Sequence, residues 1–361
     1  MRSYLEEVDF EKIKLRFEAF WQKEIIDRPL IAITAPKKEE KKRNFPIPDN
    51  LEKRWIDIEY ILNKAELYFE NTLFLGDAIP FYLPNTGPDS FTAYLGGDLI
   101  FKDEITSWVR PFTNDLSEYE PVFDKSNKWW RFMNELIDAV CEIAKGNFLI
   151  GIPDMHGGAD SLVAARGASE LALGLYNKPG EVKRILKKLT KIYYEIFDLY
   201  YKKISRVQEG SITWIPAYSK GRYVALQNDF SGLVSPKMFE EFFLYEIKEF
   251  SEYLDNSIYH LDGPFALGNL DYLLNIDTLD GIQWIPGAGA KPMKEWVDVC
   301  NKVLSSEKCL QIFCEPDEVE FLLSRLKSEG LFLCIYCDTE DEAYHLLKKA
   351  KNVKNLKGWR K

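Results

Sequence analysis

The apolar positions of this chain follow two rhythms, a helical recurrence every three to four residues and short unbroken runs, and the two alternate over most of its length. Phe10, Ile13, Phe17, Phe20, Trp21 and Ile25 recur at helical spacing within residues 5–26, and Asp27-Arg-Pro29 ends that segment. Leu30-Ile-Ala-Ile-Thr34 then reads as a buried strand, stopped by Pro36 and a charged loop. A second helical stretch, 51–71, places Trp55, Ile58, Leu62, Ala65 and Phe69 on one side. Residues 81–109 are rich in aromatics, Gly and Pro without a period, and predict long loops with short helices.

From residue 127 onward the pattern is more regular. Helices are predicted over 127–145, 168–175 and 179–207. The run Asn147-Phe-Leu-Ile-Gly-Ile-Pro153 predicts a strand buried on both faces, because its hydrophobicity is continuous rather than alternating. Strands follow at 211–217 and 223–226, then a helix over 235–254 opened by an N-cap Ser235 with Pro236 at the first helical position. Further strands fall at 257–262, 279–286, 309–314 and 331–336, separated by helices at 265–275, 292–304 and 316–329. Thr339-Glu-Asp-Glu342 is a capping-box pattern that opens a last helix. Such alternation with short links predicts a parallel sheet, and about eight units in roughly 250 residues favour closure. The expected fold is α/β, a (β/α)8 TIM barrel with an N-terminal helical extension. It forms one domain over 1–361, with the extension and long loops in about 1–125 and the regular units in about 146–361.

Composition narrows the partners. With 46% hydrophobic and 14% aromatic residues the chain can bury a large core. Its 57 acidic and 47 basic residues give a net charge of -10, and no basic stripe gathers the lysines, which argues against nucleic acid. The segment 37–43 is mixed in sign and reads as a solvated loop. No apolar run of about 18 residues occurs, and the N-terminus is acidic and amphipathic, so no membrane partner and a cytoplasmic location are expected. There the six cysteines, Cys141, Cys300, Cys309, Cys314, Cys334 and Cys337, are expected to be reduced.

Functional groups of such a barrel gather where strands end and helices begin. The polar residues at those points are Asp154, His156, Asp229, His260, Asp262, Gln283 with Trp284, Glu315, and Cys337 with Asp338. His260 and Asp262 are two apart on a strand and share a face. Imidazole, carboxylate and thiolate are the usual zinc ligands, and Cys337, just before a capped helix whose dipole favours thiolate, can supply the third. A core imidazole bonded to a neighbouring backbone group is the competing account of His260. Cys334 and Cys337 form a CxxC, but residues three apart on a strand face opposite ways, which speaks against a redox pair. Gly287-Ala-Gly-Ala-Lys-Pro292 lacks the spacing of a phosphate cradle.

Tyr259-His-Leu-Asp-Gly-Pro264 and Leu279-Asp-Gly-Ile-Gln-Trp-Ile-Pro-Gly-Ala-Gly289, with Arg16-Phe-Glu-Ala-Phe-Trp21 and Asp27-Arg-Pro29 upstream, resemble the uroporphyrinogen decarboxylase-like superfamily. The resemblance implies the same barrel with its helical extension and two chemistries: cofactor-free decarboxylation of uroporphyrinogen, and zinc-dependent methyl transfer between corrinoid proteins and thiols or small methyl donors. The methyltransferase branch carries His-x-Cys on the fifth strand and Cys after the eighth. Here His260 matches the first, Asp262 stands in place of the second and Cys337 matches the third. The decarboxylase branch carries an Arg-rich N-terminal signature that the residues around Asp27-Arg-Pro29 do not reproduce.

The resulting expectation is a corrinoid-linked, zinc-dependent methyltransferase or demethylase of a small methyl donor or thiol, with His260, Asp262 and Cys337 as metal ligands. Asp229 and Glu315 are the acid/base candidates, and Asp154, His156, Gln283 and Trp284 the substrate contacts. The expected partners are a small-molecule substrate and a corrinoid protein, with a homodimer left open. The alternatives are a metal-free carboxy-lyase, with Arg166 and Arg222 as the only arginines near strand ends, and a non-catalytic corrinoid- or tetrapyrrole-binding protein. The carrier motif DxHxxG is absent.

Overall fold

In the computed structural model, which describes residues 3–352, eleven strands carry the organisation. They are β1 (Leu30–Pro36), β2 (Thr72–Gly76), β3 (Phe81–Tyr82), β4 (Leu99–Phe101), β5 (Ser107–Val109), β6 (Leu149–Ile150), β7 (Tyr223–Gln227), β8 (Asn256–Asp262), β9 (Gly281–Ile285), β10 (Cys309–Phe313) and β11 (Leu331–Tyr336). The ends of the expected unit, residues 1–2 and 353–361, lie outside the described residues. The main sheet runs β2-β1-β11-β10-β9-β8-β7, parallel throughout except that β2 runs antiparallel to β1. A parallel pair β3–β6 and an antiparallel pair β4–β5 stand apart. Among the described residues no helix is long and apolar enough to cross a membrane.

The chain is thus α/β with a central parallel sheet, as expected, but its hydrogen bonds do not close a ring among the described residues. Proline is the physical reason on one side. β3 and β6 are two residues long and are flanked by Pro80, Pro84 and Pro153, which offer no N–H to a ladder. The predicted strand 211–217, which contains Pro216, forms only an antiparallel bridge between Ser211 and Ser219, and Ile212 O accepts from Ile152 N at 2.8 Å. On the other side the unforeseen β2 occupies the edge of β1. Several predicted helices are also divided. The segment 51–71 becomes Leu51–Ile56 and Ile58–Asn71, because Asp57 ends one and caps the next by accepting from Tyr60 N.

Side-chain alternation sorts the sheet into two faces. Leu30, Tyr223, Ile258, Cys309 and Phe332 pack on the inner face with Ile13, Phe17, Phe20 and Trp21 of the helix Phe10–Trp21. That helix, opened by Asp9 accepting from Lys12 N, plugs the end of the sheet where the strands begin. Residues of opposite parity, including Ile31, Tyr259, Leu261, Trp284, Leu333 and Ile335, pack outward against the surrounding helices, among them the long helix Pro179–Ile204.

The plug is held by one buried carboxylate. Asp77 is fully buried between β2 and β3; Oδ1 accepts from Arg16 Nη1 at 2.9 Å, and Oδ2 accepts from Arg28 Nη1 and from Ile31 N at 2.8 Å. Arg16 also grips Asp27 through Nε at 2.8 Å and Nη2 at 2.7 Å, and this guanidinium holds the Asp27 carboxyl well below the usual carboxylate range. Removing one partner of a buried pair leaves the other charge uncompensated. Asp77→Ala is expected to destabilise the fold by about 3–5 kcal/mol in urea unfolding, and a loss under about 1 kcal/mol would mean the plug is held by packing alone.

Candidate functional site

The register of the parallel strands puts four polar residues in one row: Gln227 faces His260, His260 faces Gln283, and Gln283 faces Gln311. All lie on the inner-face parity, above the apolar layer that the N-terminal helix covers. Buried amides need partners, and these supply one another. His260 Nδ1 lies 2.5 Å from Gln283 Oε1, and Gln283 Nε2 donates to Gln311 Oε1. With Gln283 Oε1, an acceptor, set toward the ring, a proton on Nδ1 satisfies the contact and leaves Nε2 as the lone-pair nitrogen of the neutral imidazole. Gln227 Nε2 donates to Asp154 Oδ1 at 2.9 Å, linking the row to the loop after β6. Trp214 sets its ring edge to face against His260, with centroids 5.0 Å apart.

Two groups of metal-ligating side chains meet at the open end of this row. Asp229, His260 and Asp262 bring one ligand atom each within 4.8 Å of one another, and so do His156, Asp160 and Asp229. Asp229 belongs to both. Among the described residues no lysine or arginine is ion-paired with Asp154, Asp160, Asp229 or Asp262, and the one ionic contact is His156 Nε2 to Asp154 Oδ2 at 3.7 Å. Asp160 accepts from Asp229 N and Phe230 N, both at 2.9 Å, so it also pins the turn that carries Asp229.

Crowded acids that are buried or half-buried titrate late. Burial and then the neighbouring Asp229 push Asp160 up to about 6, and burial likewise raises Asp154. Burial works to lower His156, but Asp154, Asp160, Asp229 and Asp89 outweigh it and the imidazole holds its proton more firmly than usual. Behind the site Glu246 is buried against Gly158, whose φ of +50° favours glycine and whose Cβ would fall 2.2 Å from Glu246 Oε2, leaving no room for a side chain. The Thr190 hydroxyl lies 2.9 Å from Leu186 O and 3.2 Å from Glu246 Oε1; its one hydrogen serves one of these, and a proton on Glu246 completes the pair. Burial pushes Glu246 up to about 8.

The sequence-derived candidates divide accordingly. His260, Asp262 and Asp229 come together, and Asp154 and His156 stand beside them. Cys337 does not join them. Its thiol is fully buried on the outward parity with Leu333 and Ile335, its amide donates to Thr34 O at 2.8 Å, and burial pushes the thiol up to about 11 rather than down toward thiolate. Cys334 has the inward parity. Gln283 is fully buried as the partner of His260, and Trp284 packs outward on Trp296 with centroids 5.1 Å apart, so neither is placed to touch a substrate. Glu315 caps the turn Pro316–Glu318 and lines the mouth. Sequence reasoning missed Asp160, whose place at a helix start reads as a cap, and Gln227 and Gln311, which were visible as polar residues inside apolar strand runs.

The fold and site together define an α/β protein with a parallel sheet, plugged where its strands begin and carrying imidazole and carboxylates where they end. In fold the chain resembles a methyltransferase from Methanosarcina mazei, with a TM-score of 0.60 and 14% identity over 94% of this chain and 98% of that one. Neither a protein-family model nor a curated protein matches by sequence.

Glu246 offers a test of these electrostatics. An acid whose pKa is raised by folding contributes stability that is complete below its unfolded value near 4.5 and is lost as pH rises through about 8. The stability of Glu246→Gln relative to the parent is therefore expected to climb between those limits, reaching a gain on the order of 1–3 kcal/mol above pH 8 in thermal melts. A pH-independent difference would show that Glu246 is already ionised.

Proposed function

We propose that this chain is a cytoplasmic, metal-dependent methyltransferase or demethylase acting on a small methyl donor or thiol, with Asp229, His260 and Asp262 as the ligands of a zinc ion and a corrinoid presented by a partner protein as the second methyl carrier. Asp229 takes the place expected for Cys337. The fold likeness to a protein named a methyltransferase supports the reaction class, and the eight parallel strands are read as a (β/α)8 barrel whose ladder is interrupted at β3 and β6. The observation that carries the metal assignment is the orientation of His260. Metal-bound histidines almost always donate their second ring N–H to an oxygen, and here Gln283 Oε1 is set against Nδ1 to accept such a bond while the imidazole brings a ring nitrogen within 4.8 Å of two carboxylates.

A zinc ion held there would act as a Lewis acid on the donor heteroatom or on a bound thiol. The remaining steps belong to the chain. In methyl transfer the bond to the donor heteroatom breaks with its electron pair staying on that atom, and the acceptor's lone pair forms the new bond. A thiol acceptor must also lose a proton, and Asp154 and Asp160, which bind protons more readily than ordinary carboxylates, stand beside the ligands to take it.

The carboxy-lyase reading needs basic groups at the mouth. Arg222 lies where β7 begins, donates to Asp198 Oδ1 at 3.3 Å and stacks over Tyr253. Arg166 ends the helix Gly158–Arg166 and pairs with Glu170 at 3.0 Å. Both are engaged elsewhere, which favours methyl transfer.

Elemental analysis of protein purified without chelators should find about one zinc per chain in the parent and in Cys337→Ser. His260→Ala should lose it, and Gln283→Leu should weaken retention about 10–100-fold. Metal retained by His260→Ala, or lost from Cys337→Ser, would overturn the ligand set.

A further inference from the structure

The mouth extends beyond the metal ligands. Starting from Asp262, a cleft of about 780 Å³ runs across the C-terminal ends of β9, β10 and β11, a size suited to a small-molecule site. Its charged lining is Asp262, Glu315, Asp317, Glu318, Asp338 and Glu342 against one lysine, Lys291, and no arginine. Lys291 is committed to Glu295 at 3.1 Å. Glu318 accepts from the amides of Lys294 and Glu315, and Glu342 from that of Asp338, bonds that orient these carboxylates without neutralising them. Asp262 and Asp338 have no hydrogen-bonded or ion-paired side-chain partner among the described residues.

Two aromatic rings stand in the same cleft, Phe313 47% exposed and Tyr336 63% exposed. Phe313 faces Cys334 in register, and Tyr336 follows Cys334 by two residues, so both rings share the inner-face parity with that thiol. Beneath it lies the fully buried Gln311, whose Oε1 accepts from Gln283 Nε2. The cleft therefore offers ring faces, a sulfur and an excess of negative charge, its one lysine being paired with Glu295. Anions are repelled from such a surface, while a cation that cannot donate hydrogen bonds finds what it needs there, the negative face of an aromatic ring and a carboxylate field.

We propose that this cleft is the donor subsite of the methyl-transfer reading above, on which the inference rests, and that its ligand is a small methylated onium cation, a quaternary ammonium or a sulfonium. In transfer from such a donor the C–N or C–S bond breaks, its electron pair stays on nitrogen or sulfur, and the acceptor's lone pair makes the new bond. The donor departs neutral, so no proton has to be delivered to it.

Calorimetric titration of the full chain with tetramethylammonium and with trimethylsulfonium, beside the anion 2-sulfanylethanesulfonate, tests this. Saturable binding of at least one cation is expected, with the preference between them identifying the onium class, and the anion should bind at least about 10-fold more weakly. Tyr336→Leu and the exposed charge reversal Asp338→Lys should each weaken the cation about 10-fold while zinc content stays that of the parent. The proposal is overturned if neither cation binds, if the anion binds as tightly, or if both variants keep parental affinity. Zinc content measured on the same samples reports separately on the metal assignment, since onium binding to rings and carboxylates does not require the ion.

Discussion

Everything above the N-terminal helix depends on a single buried negative charge. Asp77 takes two guanidinium groups and a backbone amide at once, and through them ties the helix Phe10–Trp21, the residue before Pro29 and the start of β1 to the turn between β2 and β3. A sheet that curves around an inner space must fill that space from one end or the other. Here Phe17, Phe20 and Trp21 fill the end where the strands begin. The opposite end is left open, where the polar residues of the strand ends gather.

Along that axis the inner face of β8 passes from apolar Ile258 through His260 to charged Asp262, while its neighbours share only the first two levels, Gly281 then Gln283 on β9 and Cys309 then Gln311 on β10. The middle level insulates. Neutral amides can be buried beside a core at small cost when they bond to one another, whereas carboxylates cannot. The imidazole and carboxylates gathered at the charged level are harder groups than thiolates, and the two cysteines at the end of β11 do not belong to that cluster.

How much of this was legible follows from parity. Strand period two placed His260 and Asp262 on one face from the sequence alone, and their joint arrival at the site reflects it. The same rule separated Cys334 from Cys337 but could not say which faced inward, because a strand buried on both sides gives no amphipathic signal. Only register with a neighbour supplies the origin. Once Gln311 faces Phe332 and Phe313 faces Cys334, the inward residue of the pair is Cys334. Trp284 was misjudged in the same way, since Gln283, one residue away, takes the inward place. Asp229 was singled out by its position at a strand end and lies beside His260 and Asp262, whereas Asp160 was passed over because an acid at a helix start has an ordinary local explanation. Alternation predicted a closed ring of eight strands; the parallel sheet is present, but its hydrogen bonds stop short of a ring among the described residues where prolines beside the short β3 and β6 withhold amides, a detail that fold-level counting passes over.

The row Gln227–His260–Gln283–Gln311 has a consequence for assembly of the chain. Parallel strands are joined by long connections, so no tight turn dictates how far one slides along the next. A slip of one residue between β8 and β9 would turn Trp284 inward beside His260 and carry Gln283 into the helical layer, leaving an amide stranded in hydrocarbon and an indole in a space sized for an amide. The site thus doubles as an alignment mark. The residues that orient His260 also penalise misregistered sheets, and selection for one function would preserve the other.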